Sequence, residues 1–439
     1  MPSAFLSDFC NTTTKPILSI PLTHEPHDTY LFQEVLSVEE RSCYVQQASS
    51  SRSQRPVGLF RTLPLSEISQ TYAWFEERRA NAPVFRDEQT PFPLWQVFRY
   101  EDVLTVLNDH NRFSSQAFAI GGGFLGDTLV AKDPPDHRKL RNLVNQAFTP
   151  RSVARLSDRI TQMTQELLDD VRGKGEMDVV SDIAFPLPAK VIAEMLGVPD
   201  EDWNIFQRWA RMENAPTPTA QQDGHTMQVE MSDYFSRLLA ERRRSPREDL
   251  ISALSVAEVD GERLSEHELV SFCTLLLAAG QETTKNLIAN ALVCFTDHPD
   301  AMQRLIQEPA LMPKAIEEIL RYLPPVWFLF RQTKTDVELA GQTIPANQMV
   351  LAWTASANRD ATQFPDPNTF TIEREPNRHL AFGHGIHFCV GAPLARLEAK
   401  IVLPMMLEQL KNIQRVKDVP VTVHTGIVFV IRSLPIRFQ

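Results

Sequence analysis

Phe382-Gly383-His384-Gly385-Ile386-His387-Phe388-Cys389-Val390-Gly391 places one cysteine at the end of a glycine-spaced loop. Gly383 and Gly385 carry no Cβ, so the backbone can turn tightly there and approach a flat group closely. Phe382 offers an apolar face beside the sulfur. A helical pattern follows, Leu394-Ala395-Arg396-Leu397-Glu398-Ala399, with Pro393 where a first helical turn tolerates a missing N–H. A thiolate just ahead of that helix receives backbone N–H groups and the positive helix end, and both stabilise its charge. The loop reads as a mount for an anionic sulfur ligand, which is how haem iron is held through a thiolate.

Two other readings of the loop fail on spacing. His384, His387 and Cys389 offer three zinc donors, but a closed structural site takes four, and no second Cys or His pair lies near. A dinucleotide loop, G-x-G-x-x-G, requires glycine at position 388, where Phe388 stands.

Upstream, Ser265-Glu266-His267-Glu268 forms a capping box that opens a long apolar run to Phe295, stopped by His298-Pro299. Roughly 30 residues at 1.5 Å each give about 45 Å, enough to cross a whole domain. In its middle sits Ala278-Ala279-Gly280-Gln281-Glu282-Thr283-Thr284. Glycine weakens the helix there, and a threonine hydroxyl can bond a carbonyl one turn back, so a notch is expected.

Together these stretches resemble the cytochrome P-450 superfamily in its soluble bacterial form. The cysteine loop matches Phe-Gly-x-Gly-x-His-x-Cys-x-Gly at all six fixed positions, and Ala279 to Thr283 match the distal motif Ala/Gly-Gly-x-Asp/Glu-Thr. The resemblance spans about residues 57–439. It implies a mainly α fold, roughly a dozen helices around a buried haem b with a small β region. Cys389 would ligate iron, with Phe382, Gly383 and Ala279 against the cofactor. Glu282 and Thr283 would manage protons. His137 and Arg141, four residues apart on one helix face, would reach the haem propionates together with Arg331 and His387. Glu318, Arg321 and Arg374 would be structural, holding the surroundings of the cysteine loop. Phe118, Val326, Trp327, Ile427, Val428 and Phe429 would line the substrate pocket, under a mobile apolar cover around Gly121-Gly122-Gly123.

The implied activity is insertion of one oxygen atom of O2 into a hydrophobic small molecule. No reductase domain fits in the chain, so electrons would come from a separate ferredoxin or flavodoxin with its NAD(P)H-dependent reductase. Arg138, Lys139, Arg396 and Lys400 are candidates for a basic docking patch. Catalysis on a carrier-tethered substrate, a coupling reaction on the same scaffold, and a non-catalytic haem sensor or carrier stay open.

Composition agrees with a large soluble enzyme. The 439 residues are 43% hydrophobic and 23% charged, with a net charge of −11. That balance argues against nucleic-acid or anionic-membrane partners, which want a basic face. The run Arg242-Arg243-Arg244 reads as a solvated helix end. Five cysteines form no paired framework, so a reducing cytoplasm is expected; a monomer is expected as well. Val153, Leu156, Ile160, Met163, Leu167 and Val171 predict one helix over 152–172, and Ser66 is a candidate cap for another helix. Residues 1–56, ending in a Ser- and Arg-rich tract, read as a poorly ordered extension ahead of a single domain over 57–439.

Overall fold

A computed structural model describes residues 61–88, 93–117, 126, 128–212, 220–417 and 419–439. Helices dominate and the strands gather into small sheets, the mainly helical fold that the sequence implied. The extension over 1–56, Phe118 and the Gly121-Gly122-Gly123 loop lie outside the described residues.

Helix α1 (Ile68–Asn81) buries Tyr72, Trp74 and Phe75. It follows a short 3-10 turn over Leu65–Glu67 and has no side-chain cap, so Ser66 does not take the capping place expected of it. Helices α2 (Tyr100–Asn108) and α3 (Asp136–Ala147) lead to α4 (Ser157–Arg172), which turns Ile160, Met163, Leu167 and Val171 inward. The single helix expected over 152–172 is divided. Pro150–Ala154 forms its own short helix, started by a capping box between Thr149 and Ser152.

Helices α5 (Pro186–Leu196) and α6 (Ala220–Arg244) pack against α7 (Glu266–Asp297), the central element. Ser265 Oγ accepts from the Glu268 amide at 3.2 Å while Glu268 Oε2 accepts from the Ser265 amide at 2.7 Å, closing the capping box. The helix runs unbroken for 32 residues, through Gly280. A Cβ at Gly280 would come within 2.7 Å of Ile192 Cδ1 on α5, so glycine here lets two helices approach closely. Helices α8 (Met312–Tyr322) and α9 (Ala392–Gln409) complete the set that frames the site.

Arg242, expected in solvent, is wholly buried at the end of α6. Its guanidinium donates to Asp249, in the loop just beyond its own helix, and to the Gly197 carbonyl at the end of α5. Arg243 and Arg244 do stay exposed.

The largest sheet runs in the order 84–87, 94–97, 349–352, 329–333, 113–114, with only the second and third strands parallel. It sets Arg331 opposite Val350. Strands 337–339 and 342–344 form a hairpin whose two turn residues, Ala340 and Gly341, both have positive φ. A second sheet joins Arg61–Pro64 to Thr422–Thr425 and Val430–Ile431.

Candidate active site

The cysteine loop is fixed by its backbone. The Gly383 amide donates to Leu380 O at 2.9 Å, Phe388 to Gly385 O at 3.1 Å and Cys389 to Phe382 O at 3.0 Å. Gly385 has φ +69°, and a Cβ there would press on Asn108 Oδ1 at 3.1 Å and Leu107 O at 3.2 Å at the end of α2. Only glycine permits both the conformation and the contact. Gly391 caps α9 and Pro393 occupies its first turn. The outer side of Cys389 is open. Packed chain on its other sides pushes its thiol pKa up, while the Gly391 and Ala392 amides and the Arg141 and Arg396 charges pull the opposite way. A bound metal ion decides that contest, since a coordinating thiol is deprotonated outright.

Around this loop the structure gathers four nitrogen-bearing side chains with little to bind. His137 and His387 face each other at a ring-centroid distance of 4.2 Å, and each has a buried Nε2 with no partner among the described residues. Burial first, then the neighbouring arginines, lower His137 to about 4 and His387 to about 3, so both rings are neutral. Arg331 is 3% exposed, its guanidinium donating to Phe330 O at 2.7 Å, and burial lowers it to about 10. Arg141 is half-buried on the same face of α3 as His137. Asp133 is the carboxylate whose charge this cluster feels, yet it is already bound by Ser114, Ser115 and Lys334 at 2.7, 2.9 and 2.9 Å. Two arginines and two orphaned imidazoles without a free carboxylate suit a dianionic edge, and the two propionates of haem are such an edge. Together with Cys389 this donor set fits the cofactor.

On α7 the residues around the motif are buried, yet Ala279 is exposed and Gly280 and Thr283 are half-buried. This face of the helix therefore borders open space. Thr283 Oγ1 donates to Ala279 O at 2.8 Å. Glu282 is turned away into the protein, paired with Lys285 at 2.7 Å and accepting from Asn286 Nδ2 at 3.0 Å. The spacing of Glu282 and Lys285, three apart on one helix, was readable beforehand; their shared burial was not.

Glu318 accepts from Arg321 Nε at 2.7 Å and Nη2 at 2.8 Å, and from Arg374 Nε at 3.1 Å. Arg321 continues to Asn358 O at 3.0 Å, and Asn358 Oδ1 takes the Leu380 amide at 2.7 Å, two residues before Phe382. A continuous polar chain thus runs from this triad to the cysteine loop.

Trp327 and Phe429 do not reach open space. Both are fully buried and stack at 4.9 Å with planes 4° apart, because Trp327 N bonds Ile427 O and Phe429 N bonds Pro325 O, which turns both rings into the core. Val326, Ile427 and Val428 remain half-buried. The basic patch is also smaller than its sequence suggests. Lys139 pairs with Glu262 at 2.8 Å and Arg396 is held by Glu317 at 2.7 Å, leaving Arg138 and Lys400 exposed.

A cysteine mounted ahead of a helix, a propionate-binding edge and a long distal helix define the haem-thiolate class of proteins. The family model described as Cytochrome P450 matches residues 64–197 and 190–439. The chain is 40% identical to the putative cytochrome P450 YjiB of Bacillus subtilis over 374 residues, 83% of this chain and 93% of that protein. It is 39% identical to the cyclomarin C epoxidase CymV of Salinispora arenicola over 381 residues, 84% and 96% of the two. The crystal structure of CYP109E1 from Bacillus megaterium in complex with testosterone matches with TM-score 0.78 and 40% identity, covering 83% of this chain and 98% of that one. The chain belongs to the cytochrome P450 family and is a haem-dependent monooxygenase. Among the described residues no helix is long and apolar enough to cross a membrane.

Proposed function

We propose that the enzyme oxygenates a free hydrophobic natural product or steroid, at a C–H or C=C bond, with electrons from a separate ferredoxin or flavodoxin and its NAD(P)H-dependent reductase. Haem b, when bound, supplies the binding and activation of dioxygen. Cys389 holds the iron. Arg141, Arg331, His137 and His387 hold the propionates and so fix the cofactor's orientation. Thr283 presents a hydroxyl where α7 borders open space, and Glu282, one residue away, carries the proton-exchanging carboxylate. Val326, Ile427 and Val428 add apolar contact for the substrate. The exposed Arg138 and Lys400 attract an acidic electron carrier, in the cytoplasm and with the enzyme as a monomer.

The observation that carries this reading is the gathering of two unanswered imidazole nitrogens and two arginines beside an open cysteine. A named epoxidase among the relatives and a neighbour crystallised with testosterone support the substrate class. The test is a spectral titration of the haem-loaded protein with free steroids, macrolactones, terpenoids and fatty acids, followed by turnover with a ferredoxin and reductase. A saturable spin shift with one class, and reductase-dependent product from it, supports the proposal. Absence of any shift points to a carrier-tethered substrate; a shift without turnover points to a sensor or carrier.

A further inference from the structure

Glu317 lies beside the structural triad but takes no part in it. Its two carboxylate oxygens accept a bidentate pair from Arg396, Nε at 2.7 Å and Nη2 at 2.8 Å. Its Oε2 also stands 3.0 Å from His379 Nε2. The Ala381 amide donates to His379 Nδ1 at 3.2 Å, which turns the ring's Nε2 toward Glu317. Glu317 and Arg396 set one carboxylate against one guanidinium.

The guanidinium is placed with care. Its central carbon sits 4.5 Å from the centroid of the Phe382 ring, a cation–π distance. Phe382 in turn accepts the Cys389 amide through its carbonyl at 3.0 Å, and Arg396 is one of the charges that the Cys389 sulfur feels. The fork geometry of arginine on a carboxylate fixes this position in a way that a lysine would not.

We propose that Glu317 is a positioning residue for the haem thiolate: it locks Arg396 on the face of Phe382 and offsets its charge beside Cys389, setting the reduction potential of the iron. Electron donation from a thiolate weakens when net positive charge sits beside it, and added positive charge favours the ferrous state, which carries one more electron. The two partners therefore act in opposite directions. The inference rests on Cys389 being the haem ligand, and the ferrous–CO spectrum reports on that separately.

The test is a spectroelectrochemical titration of the haem-loaded wild type and variants, each checked for the red-shifted ferrous–CO band of thiolate ligation. Glu317→Gln leaves Arg396 unbalanced and is expected to raise the potential, seen as a severalfold higher ferrous-to-ferric ratio at a fixed mediator potential. Arg396→Met leaves Glu317 unbalanced and is expected to lower that ratio severalfold. Arg396→Lys keeps the charge and is expected to stay closer to wild type than Arg396→Met. Shifts of the same sign in Glu317→Gln and Arg396→Met, or none, with thiolate ligation retained, overturn the proposal. Should Glu317→Gln fail to hold haem, the two Arg396 variants decide: equal loss in both means that charge beside the sulfur is not what acts. Absence of the thiolate band from the wild type would instead remove the reading of Cys389.

Discussion

His137 on α3 and His387 in the cysteine loop stand ring to ring at 4.2 Å, each with a buried Nε2 that no described residue answers. Neither can have been placed for the other, since two neutral rings flanked by Arg141 and Arg331 gain little from mutual contact. On the reading proposed above they serve the haem propionates. A hydrogen bond to a charged group contributes about 1.5–3 kcal/mol. Arg331→Ala and His137→Ala are therefore each expected to speed haem loss by roughly tenfold or more, with Arg331→Lys less affected because it keeps its charge. Haem transfer to excess apomyoglobin measures this directly. Unchanged transfer rates in all three variants would show that the cluster does not hold the cofactor.

Thr283 and Glu282 are adjacent in sequence and separated in environment, one bordering open space and the other clamped by Lys285 and Asn286. Thr283→Val keeps the shape and removes the hydroxyl. Glu282→Gln keeps the shape but removes the exchangeable proton together with one of the two oxygens that accept from Lys285 and Asn286. General acid–base contributions run to about 10²–10⁴, so both variants are expected to keep consuming NAD(P)H and O2 while product per NAD(P)H falls at least tenfold. Quantifying product against reducing equivalents tests this. Tight coupling in both variants would exclude the pair from proton management.

The triad of Glu318, Arg321 and Arg374 is buried, with Glu318 and Arg321 fully so. Removing the single carboxylate strands two guanidinium groups, and breaking a buried pair from one side costs about 3–5 kcal/mol. Glu318→Ala is expected to lose that much in urea unfolding and to accumulate without haem, since the chain from Arg321 through Asn358 to Leu380 supports the cysteine loop. Glu318→Gln should fall between the two. A Glu318→Ala variant of native stability would refute this account.

Local chemistry was the legible part. The capping box at Ser265 and the helix after Cys389 follow from signals a few residues long, and both form. What failed was the sidedness of side chains, which depends on packing across the fold. Arg242 reads as one more cation in a run of three, until the loop carrying Asp249 buries it. Trp327 and Phe429 look like pocket aromatics, until a backbone bridge at Val326 and Val428 turns both rings inward. Glycine at 280 suggests a weakened helix, but its reason is Ile192 on another helix. Glu317 carries no motif of its own, and only the return of α9 brings Arg396 to it.

Glu398 on α9 presents the sharpest pH test. It is fully buried, both of its carboxyl oxygens lack a partner among the described residues, and burial pushes its pKa well above the usual 4.5. The native protein thus holds a proton that the unfolded chain releases above about pH 4.5. Stability tied to this group is present below that pH and drains away as pH rises toward the native pKa. Glu398→Gln removes the titration while keeping the shape. Its urea midpoint is expected to match wild type near pH 4 and to exceed it progressively toward neutral pH, by about 1–3 kcal/mol, the scale of an unsatisfied buried group. Should the variant instead be less stable at every pH, the carboxyl must be engaged through internal water in bonds that an amide cannot reproduce.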